Sequence, residues 1–233
     1  MKLLENKWAL VTGSSRGIGQ QIALGLAQRK CNVIVHGRYV VNTTETIEQL
    51  KALDVQTHAV AADLENPQEI ETLISQVQDR PGVVDILYNN AAIQNDWESI
   101  WEIDLDEWRR IFEVNLFAMI RLCNAFAPEM KRRGFGRIIN LTSGIQDIPQ
   151  LAPYSVSKAA VDKYSRDLAA ELRGTNVLVN YLDPGWLKTD MGGPDAENEV
   201  ATVLPGALVP ALLDDHGPSG QFYAAQDFKV LEF

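Results

Sequence analysis

An apolar run, Trp8-Ala9-Leu10-Val11, ends directly in Thr12-Gly13-Ser14-Ser15-Arg16-Gly17-Ile18-Gly19, and a helical stripe of Ile18, Ile22 and Leu26 follows at once. A strand that enters a glycine turn and leaves it as a helix predicts the start of a nucleotide-binding βαβ unit. Gly13 is expected to allow the tight turn, Gly17 to let the backbone approach a pyrophosphate, and Gly19 to let the helix lie close to the strand. The N–H groups at the helix start would face the phosphates. Ser15, Arg16 and Ile18 fall in the same turn and join the candidate cofactor contacts. The spacing is Gly-x-x-x-Gly-x-Gly rather than the commoner Gly-x-Gly-x-x-Gly, and a glycine-rich turn with no ligand is the competing reading.

Asn32 to His36 reads as the second strand, and it ends in Gly37-Arg38. An acidic residue near this point would hold the ribose hydroxyls of NAD, and none is present. Arg38, helped by Arg16, would instead hold a 2′-phosphate, which favours NADP(H) over NAD(H). His36 reads as a structural strand-end residue. Asn42 with Glu45 resembles a capping box ahead of the stripe Ile47, Leu50 and Leu53. Gln56 to Ala61 is strand-like, and Asp63-Leu64 follows it. Pro67 suits the first turn of a helix carrying Ile70, Leu73, Ile74 and Val77. After the break at Pro81-Gly82, Val83 to Tyr88 reads as a buried parallel strand that runs into Asn89-Asn90-Ala91-Ala92.

Asp104 or Asp106 opens a long helix that lasts to about Arg133, with Trp108, Ile111, Phe112, Phe117, Ile120 and Phe126 apolar and Asn115 in its middle. A buried amide must find partners, so Asn115 either repairs a local kink or holds a water in a site. Arg137 to Leu141 is the next strand, with Thr142-Ser143-Gly144 at its carboxyl end. Pro153 introduces a helix to about Arg173, and Val177 to Leu182 is a strand before Asp183-Pro184-Gly185-Trp186-Leu187-Lys188-Thr189. Gly192 to Glu199 is a mobile lid or a plain surface loop. Asn198 to Leu213 is helix-like but interrupted by Pro205 and Pro210, and Gly220 to Ala224 is a last strand. Strands and helices alternate from end to end, which implies a single α/β domain over residues 1–233 with a parallel sheet.

The formal net charge is −10. An acidic surface repels phosphate backbones and anionic membranes, so neither nucleic acid nor membrane is an expected partner. No apolar run reaches the length of a membrane span, and Met1 to Trp8 is too short and mixed in charge for a signal peptide. Cys31 and Cys123 sit in apolar stretches without metal-ligand neighbours, so no metal site is expected. Buried thiols of a cytoplasmic protein are the reading.

Tyr154 and Lys158 are four residues apart, so a helix places both on one face. A phenol has a pKa of about 10, and an ammonium held beside it would favour the phenolate. Such a pair can pass a proton at a working pH, as reduction of a carbonyl or oxidation of an alcohol requires. Alone, the spacing fits ordinary helix surface equally well.

Together, Thr12 to Gly19, Asp63-Leu64, Asn89-Asn90-Ala91, Asn115, Ser143, Tyr154, Lys158 and Pro184-Gly185 with Thr189 resemble the short-chain dehydrogenase/reductase family, in its order and over nearly the whole chain. The resemblance implies a Rossmann-type doubly wound parallel sheet with helices on both faces. It implies that Tyr154 donates a proton to the substrate oxygen while hydride arrives from the nicotinamide. Lys158 would lower the tyrosine pKa and bond the nicotinamide ribose, and Ser143 would hydrogen-bond the substrate oxygen. Asn115 would hold a relay water. Asp63 and Leu64 would flank the adenine, Asn90 and Ala91 would touch the ribose side, and Thr189 would reach the carboxamide end, beside Pro184 and Gly185. Ala92 stands where the family most often has glycine, and the short interval from Ser143 to Tyr154 keeps Thr142 open as an alternative hydroxyl. The segments 184–191 and 217–222 look similar to the carbonyl reductase branch. Family members dimerise through the two helices that carry Asn115 and Tyr154, so a homodimer is expected, with a tetramer possible.

Two kinds of function fit: an NADP(H)-dependent oxidoreductase acting on a small carbonyl or secondary alcohol, and a dinucleotide-binding redox sensor without turnover. Within the enzymes, a sugar or polyol dehydrogenase, a 3-oxoacyl-thioester reductase and a broad carbonyl reductase stay open. Trp97, Trp101, Trp186 and Met191 are either substrate-side residues or surface packing.

Overall fold

The computed structural model describes residues 4–229. Residues 1–3, part of the segment read for a leader, and residues 230–233 lie outside the described residues. Seven strands form one sheet: β1 Trp8–Val11, β2 Asn32–Gly37, β3 Thr57–Ala61, β4 Ile86–Asn89, β5 Gly136–Leu141, β6 Val177–Asp183 and β7 Phe222–Ala224. Every pairing is parallel, and the order is β3-β2-β1-β4-β5-β6-β7. The order reverses between β1 and β4. Parallel sheets of this kind open a crevice there, beyond the carboxyl ends of the strands.

The helices are α1 Gly17–Gln28, α2 Thr44–Lys51, α3 Pro67–Asp79, α4 Leu105–Phe112, α5 Ala118–Arg133 and α6 Ala152–Glu171. Helices α3, α5 and α6 bury Ile70, Leu73, Met119, Leu122, Phe126 and Val161 on one face of the sheet. Helices α1 and α2 bury Ile22, Leu26 and Leu50 on the other, joined by Val203, Ala207 and Leu208. Each fully buried side chain of this size contributes roughly 1.5–3 kcal/mol, and burial on both faces explains why the strands read as continuous apolar runs. Local chemistry sets the helix ends. Asn66 caps α3 by accepting from the Gln68 N–H with Pro67 next in line, Asp104 caps α4 through the Asp106 N–H, and Gly134 ends α5 in the left-handed region.

Four expectations change. Strand β4 begins at Ile86, three residues later than Val83, and just before it the Asp85 N–H bonds the Trp8 carbonyl at the amino end of the central β1–β4 pair. The capping box does not form. Asn42 lies inside a 3-10 turn, Val40–Thr43, where its Oδ1 accepts from the Tyr39 N–H, and Glu45 accepts from Gln49. The long helix is interrupted by a π-helical turn, Glu113–Phe117, which has Asn115 at its centre. Residues Asn198 to Leu213 make no continuous helix. They form 3-10 turns at Val200–Val203 and Gly206–Ala211, since Pro205 and Pro210 lack the N–H a helix interior needs.

By length and composition, Leu105–Arg133 could cross a membrane, with a mean hydropathy of 1.2 in its most apolar window, contrary to the sequence expectation. In the fold 56% of that window is buried, and α5 packs on the sheet as a core helix.

Candidate active site

The glycine turn is held from three sides. Asn90, just past β4, donates its side-chain amide to the carbonyls of Thr12 (2.7 Å) and Gly13 (3.2 Å). The Thr12 hydroxyl accepts from the N–H groups of Asn90 (2.9 Å) and Ala91 (3.0 Å). The Gly13 N–H donates to Nδ1 of His36 at 3.0 Å, which leaves the proton on Nε2, 3.1 Å from the Ala62 carbonyl. Gly13 and Gly17 adopt φ of +63° and +58°, the left-handed region that favours glycine. A Cβ on Gly19 would sit 2.4 Å from the Gly13 oxygen. No side chain caps α1 and no acidic residue lies in its first turn, so its leading N–H groups are open to an anion. The residues present therefore fit a dinucleotide's pyrophosphate.

Ser15 and Ile18 lie half-buried in this turn. Arg16 is exposed and ion-paired with Asp190 at 3.0 Å, across the crevice from it. Arg38 pairs with Asp63 at 3.4 Å, at the far end of the same crevice. The Asp63 N–H donates to Glu69, and Leu64 is buried beside it. On the opposite wall, Pro184 is buried and Gly185 is half-buried, with φ +84°. Thr189 approaches Gly17, where a Cβ would lie 3.5 Å from its methyl, and its hydroxyl accepts from the Gly192 N–H.

His36 was a strand-end residue by sequence, and the structure makes it a fastener of the glycine turn. Burial pushes its imidazole down to about 4, against weaker upward pulls from Ala62 and Asp63. The unfolded chain binds a proton at this residue between pH 6.5 and about 4 that the folded chain does not, so stability falls as pH falls through that window. We expect this imidazole to remove about 2 kcal/mol between pH 7 and pH 5. Urea unfolding at both pH values should show that loss in the parent chain, and a clearly smaller one in His36→Gln. Equal losses would deny His36 the role.

The second cluster forms where α6 meets the ends of β5 and β6. Pro153 sits in the first turn of α6 and puts Tyr154 and Lys158 on one face. The ammonium of Lys158 is buried, donates to the Leu141 carbonyl at 2.8 Å, and lies 5.6 Å from the Tyr154 ring centre. Burial pushes Lys158 down to about 8, opposed by the charges of Asp162 and Asp183. Tyr154 differs from expectation. Burial raises its phenol above the ordinary value and the Asp183 charge adds to that, while a hydrogen bond with Ser143 pulls it down. The lysine does not lower the phenol here, because Lys158, held at about 8, has lost its proton before a phenol titrates.

Ser143 also accepts from the Ile145 N–H at 3.2 Å. Thr142 is buried and donates to the Lys158 carbonyl at 3.3 Å, which turns it away from the crevice and leaves Ser143 as the available hydroxyl. Asn115 explains the π-helical turn. Its Oδ1 accepts from the Ile93 N–H (2.8 Å), and its Nδ2 donates to the Ile93 carbonyl (2.9 Å) and to Ser157 Oγ (3.0 Å). The widened turn lets this amide reach from the π-helical turn between α4 and α5 to Ser157 on α6, and such turns recur at functional sites. Asn115 and Lys158 line one small cavity with Thr12 and Asn89.

Trp97, Trp101, Trp186 and Met191 are all exposed. Residues 192–199 fold back on the preceding loop, through Trp186 Nε1 to the Gly192 carbonyl (2.8 Å) and Lys188 to Glu199 (2.6 Å). Sequence reasoning missed Asp183, whose one signal was its place directly before Pro184-Gly185. Both cysteines are buried, and no cluster of metal-ligating side chains occurs among the described residues.

A family model described as short chain dehydrogenase matches residues 7–200. The chain is 36% identical over 189 residues to the 3-oxoacyl-[acyl-carrier-protein] reductase FabG of Staphylococcus epidermidis, covering 80% of this chain and 77% of that one. A 3-oxoacyl (acyl-carrier-protein) reductase of Agrobacterium tumefaciens, solved with NADP bound, superposes with a TM-score of 0.85 at 26% identity over 95% of this chain and 93% of that one. A 3-oxoacyl-[acyl-carrier protein] reductase of Brucella melitensis with bound NAD gives 0.85 at 26% identity, over 95% and 90%. With the glycine turn at the switch point and the Tyr154–Lys158 pair beside Ser143, these matches establish that the chain belongs to the short-chain dehydrogenase/reductase family.

Proposed function

We propose that this protein is an NADP(H)-preferring oxidoreductase that interconverts a small carbonyl compound and a secondary alcohol. The observation that carries the reading is the convergence of the Tyr154 phenol, the Ser143 hydroxyl and buried Lys158 at the ends of β5 and β6, facing a glycine turn shaped for a dinucleotide. The bound cofactor would supply or accept a hydride. Ser143 orients the substrate oxygen as a fixed donor where charge develops. Tyr154 gives that oxygen its proton in reduction and removes it in oxidation. Lys158 would hold the sugar next to the reacting ring, and Asn115 ties the π-helical turn to Ser157 on α6, the helix that aims both side chains. Gly13 to Gly19, Asn90 and Ala91 form the phosphate and ribose side, Asp63 and Leu64 the adenine side, and Pro184, Gly185 and Thr189 the nicotinamide side. Exposed Phe117 and Val156, on the helical segments around Asn115 and Tyr154, support a homodimer through those surfaces.

The test is a panel of aldehydes, ketones, sugars and 3-oxoacyl thioesters, followed through NADPH absorbance. Consumption of NADPH with at least one member supports the reading. Tight cofactor binding with no consumption would return the chain to the redox-sensor class.

The preference for NADP(H) rests on Arg38 at the end of β2, where no carboxylate from that strand competes for a ribose. A 2′-phosphate would take over the guanidinium from Asp63 in a charge-assisted pair. Arg38→Ala should weaken NADPH binding by at least about tenfold and NADH binding by less than about threefold, since a charge-assisted contact contributes about 1.5–3 kcal/mol. Equal losses in titrations of the two cofactors would remove the argument.

A further inference from the structure

Asp183 is the last residue of β6 and has no part in the roles assigned above. Its Oδ1 accepts from the Gly185 N–H at 2.9 Å. The Gly144 N–H also stabilises the carboxylate, and Gly144 lies so close that a Cβ there would sit 2.7 Å from Oδ2. A carboxylate has two acceptor oxygens, so one side chain can hold two turns. One follows β5 and carries Ser143, and the other follows β6 and carries Gly185. Gln226 secures the second turn from outside, donating to the Pro184 carbonyl at 2.7 Å. The charged and titratable groups facing Asp183 are Lys158, Asp162 and Tyr154 on α6, and Asp227 in the C-terminal 3-10 turn.

We propose that Asp183 is a positioning residue: its carboxylate ties the Ser143–Gly144 turn to the Pro184–Gly185 turn and places a negative charge beside the Tyr154–Lys158 pair. A half-buried charge is costly to keep, and a strand end needs no carboxylate to finish it. Holding both turns fixes the hydroxyl that would orient a substrate relative to the wall that would carry the nicotinamide, and small errors in such geometry lower rates steeply. The charge has a second consequence. A carboxylate near a phenol disfavours the phenolate, so Tyr154 keeps its proton to higher pH. Burial and Asp227 raise the Asp183 carboxyl, while the two backbone amides and Lys158 favour its ionised form. Where a phenol titrates, the carboxyl is ionised. Lys158, at about 8, has by then lost its proton and does not reverse the sign.

The test compares the parent chain with Asp183→Asn, which keeps the shape and one acceptor but not the charge, and with the smaller Asp183→Ser. Ionisation of Tyr154 is read as the phenolate absorbance of each protein minus that of its Tyr154→Phe version as pH rises. The half-point should move to lower pH by at least about half a unit in both variants. An unchanged or higher half-point overturns the proposal. The kinetic arm rests on the proposed function: kcat should fall at least about tenfold with the cofactor Kd within about threefold, and a kcat within twofold of the parent also overturns it. The absorbance reading needs no substrate. A chain that turned over nothing would refute the oxidoreductase reading while the titration still decided the role of Asp183.

Discussion

Replacing Tyr154 by phenylalanine should lower kcat for the proposed carbonyl reduction by about 10²–10⁴-fold and leave the cofactor Kd within about threefold of the parent value. The exchange removes one oxygen and keeps the ring. The helix start is undisturbed, because the bond from Ser157 Oγ to the Tyr154 carbonyl is made by the backbone (2.7 Å). Lys158 keeps its bond to the Leu141 carbonyl, and the Ser143 hydroxyl keeps the Ile145 N–H. What is lost is the hydroxyl that the proposed reaction uses as its proton donor. Burial holds the phenol above its ordinary pKa, so it carries its proton throughout the neutral range, the state that reduction requires. Alcohol oxidation requires the opposite state and should therefore climb as pH rises into the alkaline range. Steady-state rates and cofactor titrations of the two proteins check the prediction. A phenylalanine variant within tenfold of the parent kcat would transfer the proton to another group and end the assignment.

Replacing Gly19 by alanine should weaken cofactor binding at least about hundredfold and destabilise the fold by roughly 1–3 kcal/mol. In an open helix the same change would stabilise by about 1 kcal/mol, so contact decides the sign. The new methyl would meet the Gly13 oxygen at 2.4 Å, the Gly13 carbon at 2.9 Å and Asn90 Nδ2 at 2.6 Å. Two of these atoms are backbone, and the third belongs to the amide that holds the turn. Neither can yield without moving the phosphate side of the site. Gly25, on the same helix, is the control. A Cβ there would meet only the methyl ends of Leu204 and Leu208 at about 3.0 Å, which can rotate aside, so Gly25→Ala should leave cofactor binding unchanged. Isothermal titration and denaturant unfolding of both variants would settle the contrast. Tight cofactor binding by Gly19→Ala would mean that the turn does not cradle phosphate.

The centre of the sheet was readable because β1, β2, β4 and β5 are buried almost throughout and therefore mostly apolar, whereas the outer strands β3 and β7 are only partly covered. Helices α1 and α3 were readable because their stripes begin at a glycine turn and at Asn66-Pro67, whose local chemistry starts a helix without tertiary help. The errors share a cause. The π-helical turn at Asn115 exists because one amide bonds Ile93, more than twenty residues earlier, and Ser157, more than forty later. No local spacing encodes such a partner. The segment around Pro205 and Pro210 carried its own warning, but which turns it would adopt depended on packing against α1 and β5. His36 passed as a plain strand end because the Gly13 N–H it accepts comes from the neighbouring strand's turn.

The order of residue types along this chain fixed the alternation of strands and helices, the glycine turn, and the pairing of Tyr154 with Lys158 on one helix face, since each depends only on neighbours within a few positions. Folding decided the rest. It buried Lys158 and turned it to Leu141, raised the Tyr154 phenol where a fall was expected, turned the Thr142 hydroxyl to the Lys158 carbonyl while Ser143 bonds Tyr154, and set Asp183 between two turns. Proton affinities and hydrogen-bond partners depend on which groups are brought out of water together, and that is a property of three dimensions.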